Sequence, residues 1–321
     1  MFNYSLRKLF LFMITLLILT LVGYSILRLD PSSPWGEYPF SDGWIDYLSR
    51  LSHLDFGLNK NGTPIIDDLR FVFPATLELC IIASVFALLI GVPTGTLAGM
   101  RQGRLIDRVI SFISMSGYSA PLFWLALLLI MFFSLNLRIL PVSGRYELLY
   151  EIEHVTGFAL IDAFLSQSPL RAQALQNVIE HLILPSLILA LAPTTQVVRL
   201  MRASVAEVMT QNYIRVARIK GLSKYEIVMQ HVLRNALPPI IPKFGVQLSS
   251  MLTFAIITES IFNWPGIGRW LLDALSDKDY VSIQAGVMVV ATFVLAANIF
   301  TDLLGAMVNP LIRKELNADN K

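Results

Sequence analysis

The sequence predicts an all-α, polytopic membrane protein with about six transmembrane helices. Composition is the first observation behind this fold class: hydrophobic residues make up 55% of the 321-residue chain and charged residues only 15%. Mean hydropathy is the second, at +0.62. The third is the recurrence of apolar runs of spanning length, with polar segments between them. Together these observations exclude a soluble domain of ordinary composition.

The first predicted element, residues 1–27, is a transmembrane helix. Arg7 and Lys8 precede an apolar run that continues to Leu27, and at about 1.5 Å per residue this run can cross a bilayer roughly 30 Å thick. A cleaved signal peptide is the alternative, but the run is too long and lacks small residues at the cleavage spacing. We expect an uncleaved helix, followed by an external, partly ordered segment at residues 28–72.

Residues 73–308 are predicted to form a core with five more helices, the first of which begins near Pro74 because proline suits the first turn of a helix. The predicted spans are 73–99, 109–135, 182–200, 237–262 and 283–308. Between them lie a short arginine-containing loop, an external insertion and a polar loop, at residues 101–108, about 136–181 and about 201–236. Residues 309–321 form a tail.

The distribution of charge predicts the orientation of the chain. Lysine and arginine are more numerous in the segments on the side of the N terminus, whereas aspartate and glutamate are more numerous on the other side. The positive-inside rule therefore places both termini and the 201–236 loop in the cytoplasm. The 101–108 loop carries the clearest signal, because long segments such as 28–72 follow the rule less closely.

The most informative stretch is a basic segment that begins at Tyr213 and ends at His231, between two apolar runs. Its pattern predicts two short helices. Tyr213, Val216 and Ala217 fall on one face of the first helix, with Arg215 elsewhere on its surface. If the segment is a docking surface, that face is the one expected to be presented to the partner.

Local signals also predict where these two helices end and begin. Gly221 follows Lys220 at the position of a left-handed cap that ends a helix. Ser223 and Glu226 have the spacing of a capping box, so a second helix is expected to start there. These residues by themselves leave two interpretations open, a solvated connector and a docking surface for a partner.

The segment is similar to the cytoplasmic loop of bacterial ABC-importer permeases, in particular the dipeptide, oligopeptide and nickel branch, where the pattern is Y-x-x-x-A-x-x-K-G-L-S…H-x-L-R-N-A-L-x-P. The matching residues are Tyr213, Ala217, Lys220, Gly221, Leu222, Ser223, His231, Leu233, Arg234, Asn235, Ala236, Leu237 and Pro239. The wider superfamily opens this loop with Glu-Ala-Ala, whereas this chain has Arg215, Val216 and Ala217. That departure is usual in the peptide branch.

Four further stretches resemble signatures of peptide-type permeases and occur in the family's order, at residues 74–79, 121–126, 140–144 and 259–268. Residues 145–151 and 156–162 are most similar to the B-type permeases of Sap peptide transport systems. That subfamily is linked with antimicrobial-peptide sensitivity and, in some members, with putrescine. The chain departs from many relatives after the last helix, where Asn309-Pro-Leu311 replaces Asp-Pro-Arg.

The resemblance implies a permease subunit of an ATP-driven transporter in the bacterial inner membrane that imports peptides, including cationic antimicrobial peptides. The implied partners are a second permease subunit, two cytoplasmic ATPase subunits, a periplasmic substrate-binding protein and membrane lipid, without nucleic acid. The external segments are then periplasmic. Transport of putrescine, another small cation or nickel is the alternative. The loop that couples to the ATPase would contain Tyr213, Val216, Ala217, Lys220, Gly221, Leu222, Ser223, Glu226 and His231.

The sequence shows no pattern for catalysis or for a metal or other cofactor, so we expect a non-catalytic subunit whose partners hydrolyse ATP. It contains no G-x-x-x-x-G-K-[ST], and Gly91-Val-Pro-Thr-Gly95 lies in an apolar run without a lysine. The absence of His-Glu-x-x-His and Gly-x-Ser-x-Gly argues against a metal site or an intramembrane hydrolase. A secondary transporter or channel is less favoured, because inverted-repeat symmetry is not evident.

Two carboxylates lie within predicted spans. Glu78 and Glu259 are each about four residues from the outer end of their helix. A carboxylate at that depth is costly unless it faces water, protein or a cation. We expect both to contribute to a negative external mouth of the translocation pathway, and a structural hydrogen bond to a neighbouring helix is the alternative.

Overall fold

The computed structural model describes residues 2–30 and 34–308. Within these ranges the chain is helical and has no β-strand, and an isolated bridge pairs Leu58 with Pro64. The predicted all-α class is therefore confirmed. The predicted tail at 309–321, with the departure at Asn309-Pro-Leu311, lies outside the described residues.

The helices are numbered in chain order. They are α1 Phe2–Leu27, α2 Phe40–Ser52, α3 Ile65–Met100, α4 Leu105–Ser119, α5 Leu122–Leu129, α6 Ala159–Leu165, α7 Arg171–Met209, α8 Asn212–Ile219, α9 Lys224–Glu226, α10 Leu233–Ala236, α11 Ile241–Ile261, α12 Ile267–Ser276 and α13 Tyr280–Val308. A π-helical segment, Ile130–Asn136, continues α5, and another, Ile227–Val232, joins α9 to α10. Short 3-10 turns occur at Pro34–Gly36 and Leu148–Tyr150.

Four helices in the described part are long and apolar enough to cross a membrane: α1, α3, α7 and α13. A fifth span is possible where α4 and α5 with its π-helical continuation form a pair bent by 98°. The remaining predicted span, 237–262, corresponds to the 21-residue helix α11. The protein is thus a multispan membrane protein, and the count of six spans stays a prediction.

Two of the predicted helices have different bounds in the structure. α3 begins at Ile65, so Pro74 lies inside the helix and not in its first turn. The earlier start is stabilised by Asp67 and Asp68 near the positive end of the helix dipole and by burial of Ile65. α7 spans 39 residues and contains Pro185 and Pro193, so it extends beyond the predicted span at both ends.

The chain divides into two compact units. Among the described residues, the first contains 2–30, 34–78, Pro141–His181 and Leu252–Ile299, and the second contains Leu79–Leu140, Leu182–Met251 and 300–308. In the first unit, α3 residues spaced by three or four positions are buried against α12 and α13; these are Ile65, Leu69 and Val72. In the second unit, a cluster centred on Met201 and Val205 of α7 also buries residues of α8 and α10.

Candidate functional site

The segment that follows α7 consists of two helices separated at Gly221, as the sequence predicts. α8 ends at Ile219, and Gly221 has a φ of +83°. The Leu222 amide then donates to the Ala217 carbonyl, which closes the helix end. No atom lies within 4 Å of a Cβ built on Gly221, so glycine is favoured here by backbone conformation and not by lack of space.

The predicted capping box is also confirmed. The Glu226 amide donates to the Ser223 hydroxyl oxygen, and the Ser223 amide donates to the Glu226 carboxylate over 2.7 Å. Hydrogen bonding with Ser223 lowers the pKa of Glu226 below its ordinary value, because these bonds favour the charged form. The box is therefore formed at neutral pH, and its stabilising contribution is lost only as the pH falls through this lowered pKa.

The outer face of α8 differs from the prediction at one residue. Tyr213 and Val216 are exposed, at 43% and 49%, whereas Ala217 is only 5% exposed. Ala217 lies three positions after Ile214, so both side chains turn inward and join the core cluster around Val205. Ala217 thus anchors α8 to its own unit and is not part of the presented face.

Several other apolar side chains of this segment are exposed. We define the coupling surface as the exposed apolar residues Tyr213, Val216, Ile219, Tyr225 and Met229. Basic side chains lie beside it, and Arg215, Arg218 and Lys220 are all exposed. Leu222 and His231 are partly buried. An apolar surface with a basic rim fits a helix-in-groove contact with a protein partner better than it fits a solvated connector.

The carboxylate of Glu78 is buried and has several partners within the first unit. It is 3% exposed and accepts hydrogen bonds from Arg145 Nε and Nη2, at 3.1 and 2.7 Å. The amides of Ala159 and Leu160, at the start of α6, also donate to it. Arg145 is equally buried and donates to the Gly157 carbonyl. These contacts favour the structural alternative for Glu78 over a position at an external mouth.

Glu259 is fully buried, at 0% exposure, where the end of α11 meets α12. It accepts hydrogen bonds from the Thr76 hydroxyl and, over 2.9 Å, from the Arg269 amide in the first turn of α12. A Cβ on Gly266 would lie 2.2 Å from the Glu259 Oε1, and one on Gly268 would lie 2.9 Å from Oε2. The stretch from Glu259 to Gly268 therefore forms a local turn built around a carboxylate, which again favours a structural role.

Two features of the second unit were not predicted from the sequence. Asp107, which is 2% exposed, pairs with both Arg202 Nε and Nη2, the latter at 2.9 Å. Gly91, Gly95 and Gly99 of α3 lie against α7, so the Gly91-Val-Pro-Thr-Gly95 stretch is a helix-packing surface of the small-xxx-small type. The spacing of these glycines was a usable signal, whereas the Asp107–Arg202 pair is 95 residues apart and has no local pattern.

These observations define a class of protein. Helices of spanning length and glycine-mediated packing between two of them define a multispan integral membrane protein, and its short polar loop carries an exposed apolar surface. Among the described residues no group of histidine, cysteine, aspartate and glutamate could hold a metal ion.

Comparisons with known proteins identify the family. Residues 91–314 match the family described as "Binding-protein-dependent transport system inner membrane component". The SapB peptide transport system permease of Salmonella typhimurium is 50% identical over 98% of each chain. The Escherichia coli K12 protein named "Putrescine export system permease protein SapB" has the same identity and coverage. The DppB permease of the di/tripeptide system of Pseudomonas aeruginosa is 38% identical over 98% of this chain and 100% of its own length.

The fold is also similar to a solved transporter chain. A chain of the MetNI methionine ABC transporter in an inward-facing form aligns with a TM-score of 0.52, covering 73% of this chain and 93% of its own, at 16% sequence identity. That identity supports a shared fold alone. The chain belongs to the binding-protein-dependent transport system inner membrane components, and within them it resembles the Sap-type peptide permeases. It is a transport component of an ABC system in the membrane.

Proposed function

We propose that this chain is a permease subunit that imports peptides, including cationic antimicrobial peptides, across the bacterial inner membrane. It pairs with a second permease, two cytoplasmic ATPases and a periplasmic binding protein, and its own residues hydrolyse no ATP. The two peptide-transport relatives described above support the substrate class. The observation that supports the coupling role is the coupling surface, whose residues lie on α8, on α9 and on the π-helical segment that follows α9.

The coupling role follows from the balance of burial and exposure in this segment. Ile214 and Ala217 fix α8 to the core of the second unit, so the exposed side chains Tyr213 and Val216 are held on a rigid element. Apolar anchors of this kind supply affinity when they enter a groove of the partner. The neighbouring arginines mainly steer the encounter of the two proteins and fix the register of their contact. A movement of the partner ATPase would then be transmitted through α8 to the end of α7.

Replacing Val216 with aspartate or Gly221 with aspartate is expected to abolish retention of the ATPase subunits while leaving the permease in the membrane. The first change puts a charge into the apolar contact. The second forces a non-glycine residue into a left-handed conformation, which costs roughly 1 kcal/mol and turns the two helices relative to each other. Affinity purification of the permease, co-expressed with the partner subunits of its system, measures the ATPase that is retained.

Matched controls separate docking from general damage. Leu148→Asp adds a charge at an apolar residue that is 87% exposed in the predicted periplasmic insertion. Gly62→Asp changes a glycine with φ +78° and no atom within 4 Å of an added Cβ, the same conditions as Gly221. Both controls are expected to retain the ATPases. Wild-type retention by Val216→Asp and Gly221→Asp would show that the segment is a solvated connector.

The proposed orientation, with both termini in the cytoplasm and residues 28–72 and 136–181 in the periplasm, can be tested by cysteine labelling. Cys80 is the chain's single cysteine, so Cys80→Ala provides a background without thiols. We expect Lys60→Cys to react with a membrane-impermeant maleimide in intact spheroplasts and Lys224→Cys to react only after lysis, because both lysines are exposed and lie on opposite predicted sides. Labelling of both positions from one side would contradict the topology.

Putrescine is the second candidate substrate. The observation that favours it is the printed name of the Escherichia coli K12 relative, which is as similar to this chain as the peptide-named relative. Transport assays with the reconstituted complex, supplied in turn with short peptides and with putrescine, distinguish the two. Transport of putrescine in either direction without transport of any peptide would overturn the peptide assignment.

A further inference from the structure

A cavity lined by both polar and apolar surface lies within the second unit between α4 and α7. Its volume is about 480 Å³, and most of its lining side chains carry hydroxyl, amide or guanidinium groups. They include Ser111, Ser114, Ser119, Thr195, Gln196 and Arg199. α7 is a candidate membrane span, and α4 is the first half of the bent pair that together is long and apolar enough to be one. Polar groups on spanning helices are costly against lipid and commonly mark the path of a substrate.

The break between α4 and α5 adds a second indication. Ser119 is the last residue of α4 and lines the cavity, and the chain then passes through Ala120 and Pro121 before α5 begins. Non-helical backbone within a membrane span is tolerated where it is buried in protein or lines a water-filled cavity. Interrupted helices also form substrate sites in other transporters. The helix break beside the cavity is therefore one feature that a passage for substrate would have.

The hydroxyl groups that line the cavity donate hydrogen bonds to acceptors on their own helix or on the adjacent helix. Thr195 donates to the carbonyl of Ser114 over 2.9 Å, and Ser114 donates to the carbonyl of Ser111 over 3.1 Å. Ser119 donates to the Met115 carbonyl. Since each hydroxyl oxygen also carries acceptor lone pairs, these side chains can accept hydrogen bonds from the amide groups of a passing peptide.

The charge of the cavity is positive. The charge of Arg202 is neutralised by Asp107. The Asp107 carboxylate also accepts hydrogen bonds from the Gly103 amide and the Ser111 hydroxyl. Arg199 is exposed and donates to Gln196, and among the described residues no carboxylate forms a salt bridge with it. A guanidinium presents paired donors that match the two oxygens of a carboxylate.

We propose that the cavity between α4 and α7 is a station on the substrate passage and that Arg199 binds the carboxylate of a passing peptide there. This inference rests on the proposed function and narrows its substrate class to peptides with a free carboxylate, so a cationic peptide of that class would bind here through its carboxyl terminus. A diamine, which carries only positive charge, would be repelled at this position. Arg199 is thus a residue that determines specificity between peptides and polyamines.

The test compares uptake of trialanine with uptake of trialanine amide by the complete transporter in proteoliposomes. The same binding protein is used throughout, so its own preference for the acid or the amide is identical for every variant and cancels when their uptake ratios are compared. Arg199→Gln is expected to lower the acid-to-amide uptake ratio by about tenfold relative to wild type, the effect of one hydrogen-bonded charge partner. Arg199→Lys, which keeps the charge without the paired donors, is expected to retain part of the preference.

The control is Arg108→Gln, which removes an exposed arginine from α4 that does not line the cavity; its ratio is expected to match wild type. Equal losses of acid and amide uptake in Arg199→Gln would mean that Arg199 acts on the fold or on gating, and would overturn the inference. Loss of the partner permease from purified Arg199→Gln complex would overturn it too, because the face would then be a subunit contact. Failure of the wild-type complex to transport either peptide would instead overturn the proposed function.

Discussion

Replacing Arg145 with methionine is expected to lower the free energy of unfolding by roughly 3–5 kcal/mol, the usual cost of removing one partner from a buried ion pair. Glu78 would keep its buried carboxylate and lose two of its four hydrogen-bond donors. Arg145 also donates to the Gly157 carbonyl, so the 136–181 insertion would remain bonded to Glu78 of α3 through the Ala159 and Leu160 amides but no longer through the Arg145 side chain. The midpoint of thermal denaturation in detergent and the rate of proteolysis within the insertion both measure this loss.

The exposed pair formed by Asp67 and Arg70 is the matched control. It also involves α3, but its side chains are 61% and 74% exposed, so Arg70→Met is expected to cost less than about 1 kcal/mol. The double variant Glu78→Gln with Arg145→Met is expected to be less destabilised than the sum of the single changes, because the two groups interact directly. A cost for Arg145→Met no larger than that for Arg70→Met would contradict the structural role assigned to the pair.

Replacing Gly95 with leucine is expected to prevent α3 from packing on α7 and to remove most of the folded protein. A Cβ at this position would lie 2.6 Å from the Cβ of Met201 and 2.8 Å from the backbone oxygen of Val198. Rotation of a side chain relieves neither clash, because the Cβ of Met201 and the oxygen of Val198 are both fixed by the backbone of α7, so the helices would have to separate. Overpacking costs typically about 1–3 kcal/mol and more where backbone must move. Size-exclusion chromatography of the solubilised protein measures the folded fraction.

Gly117→Leu provides the comparison for this change. Gly117 also lies in an apolar helix, α4, and no atom lies within 4 Å of a Cβ built there. The same increase in volume is therefore expected to leave the folded fraction near that of wild type. If both leucine variants reduced folding equally, the close contact of α3 with α7 would not be the cause.

Features determined by neighbouring residues were predictable. The end of α8 at Gly221 and the capping box of Ser223 with Glu226 depend on contacts within four positions, so their residue types and spacing suffice. The presence of several long apolar helices was predictable too, since hydropathy is a local property. Ala217 was wrongly predicted to be exposed together with Tyr213 and Val216. Helical spacing places the three residues on one face, but it does not reveal which edge of that face turns toward the core.

The sequence by itself determined the all-α membrane class, the apolar spans, the caps around the coupling segment and, through resemblance, the permease family. Only the tertiary structure decided which charged residues are paired, because Glu78 and Arg145 are 67 residues apart and Asp107 and Arg202 are 95 apart. It also decided that Gly91, Gly95 and Gly99 pack against α7 and that Arg199 lines the cavity between α4 and α7. Such contacts depend on which helices become neighbours, and that choice is made by the packing of the whole chain and not by any stretch of it.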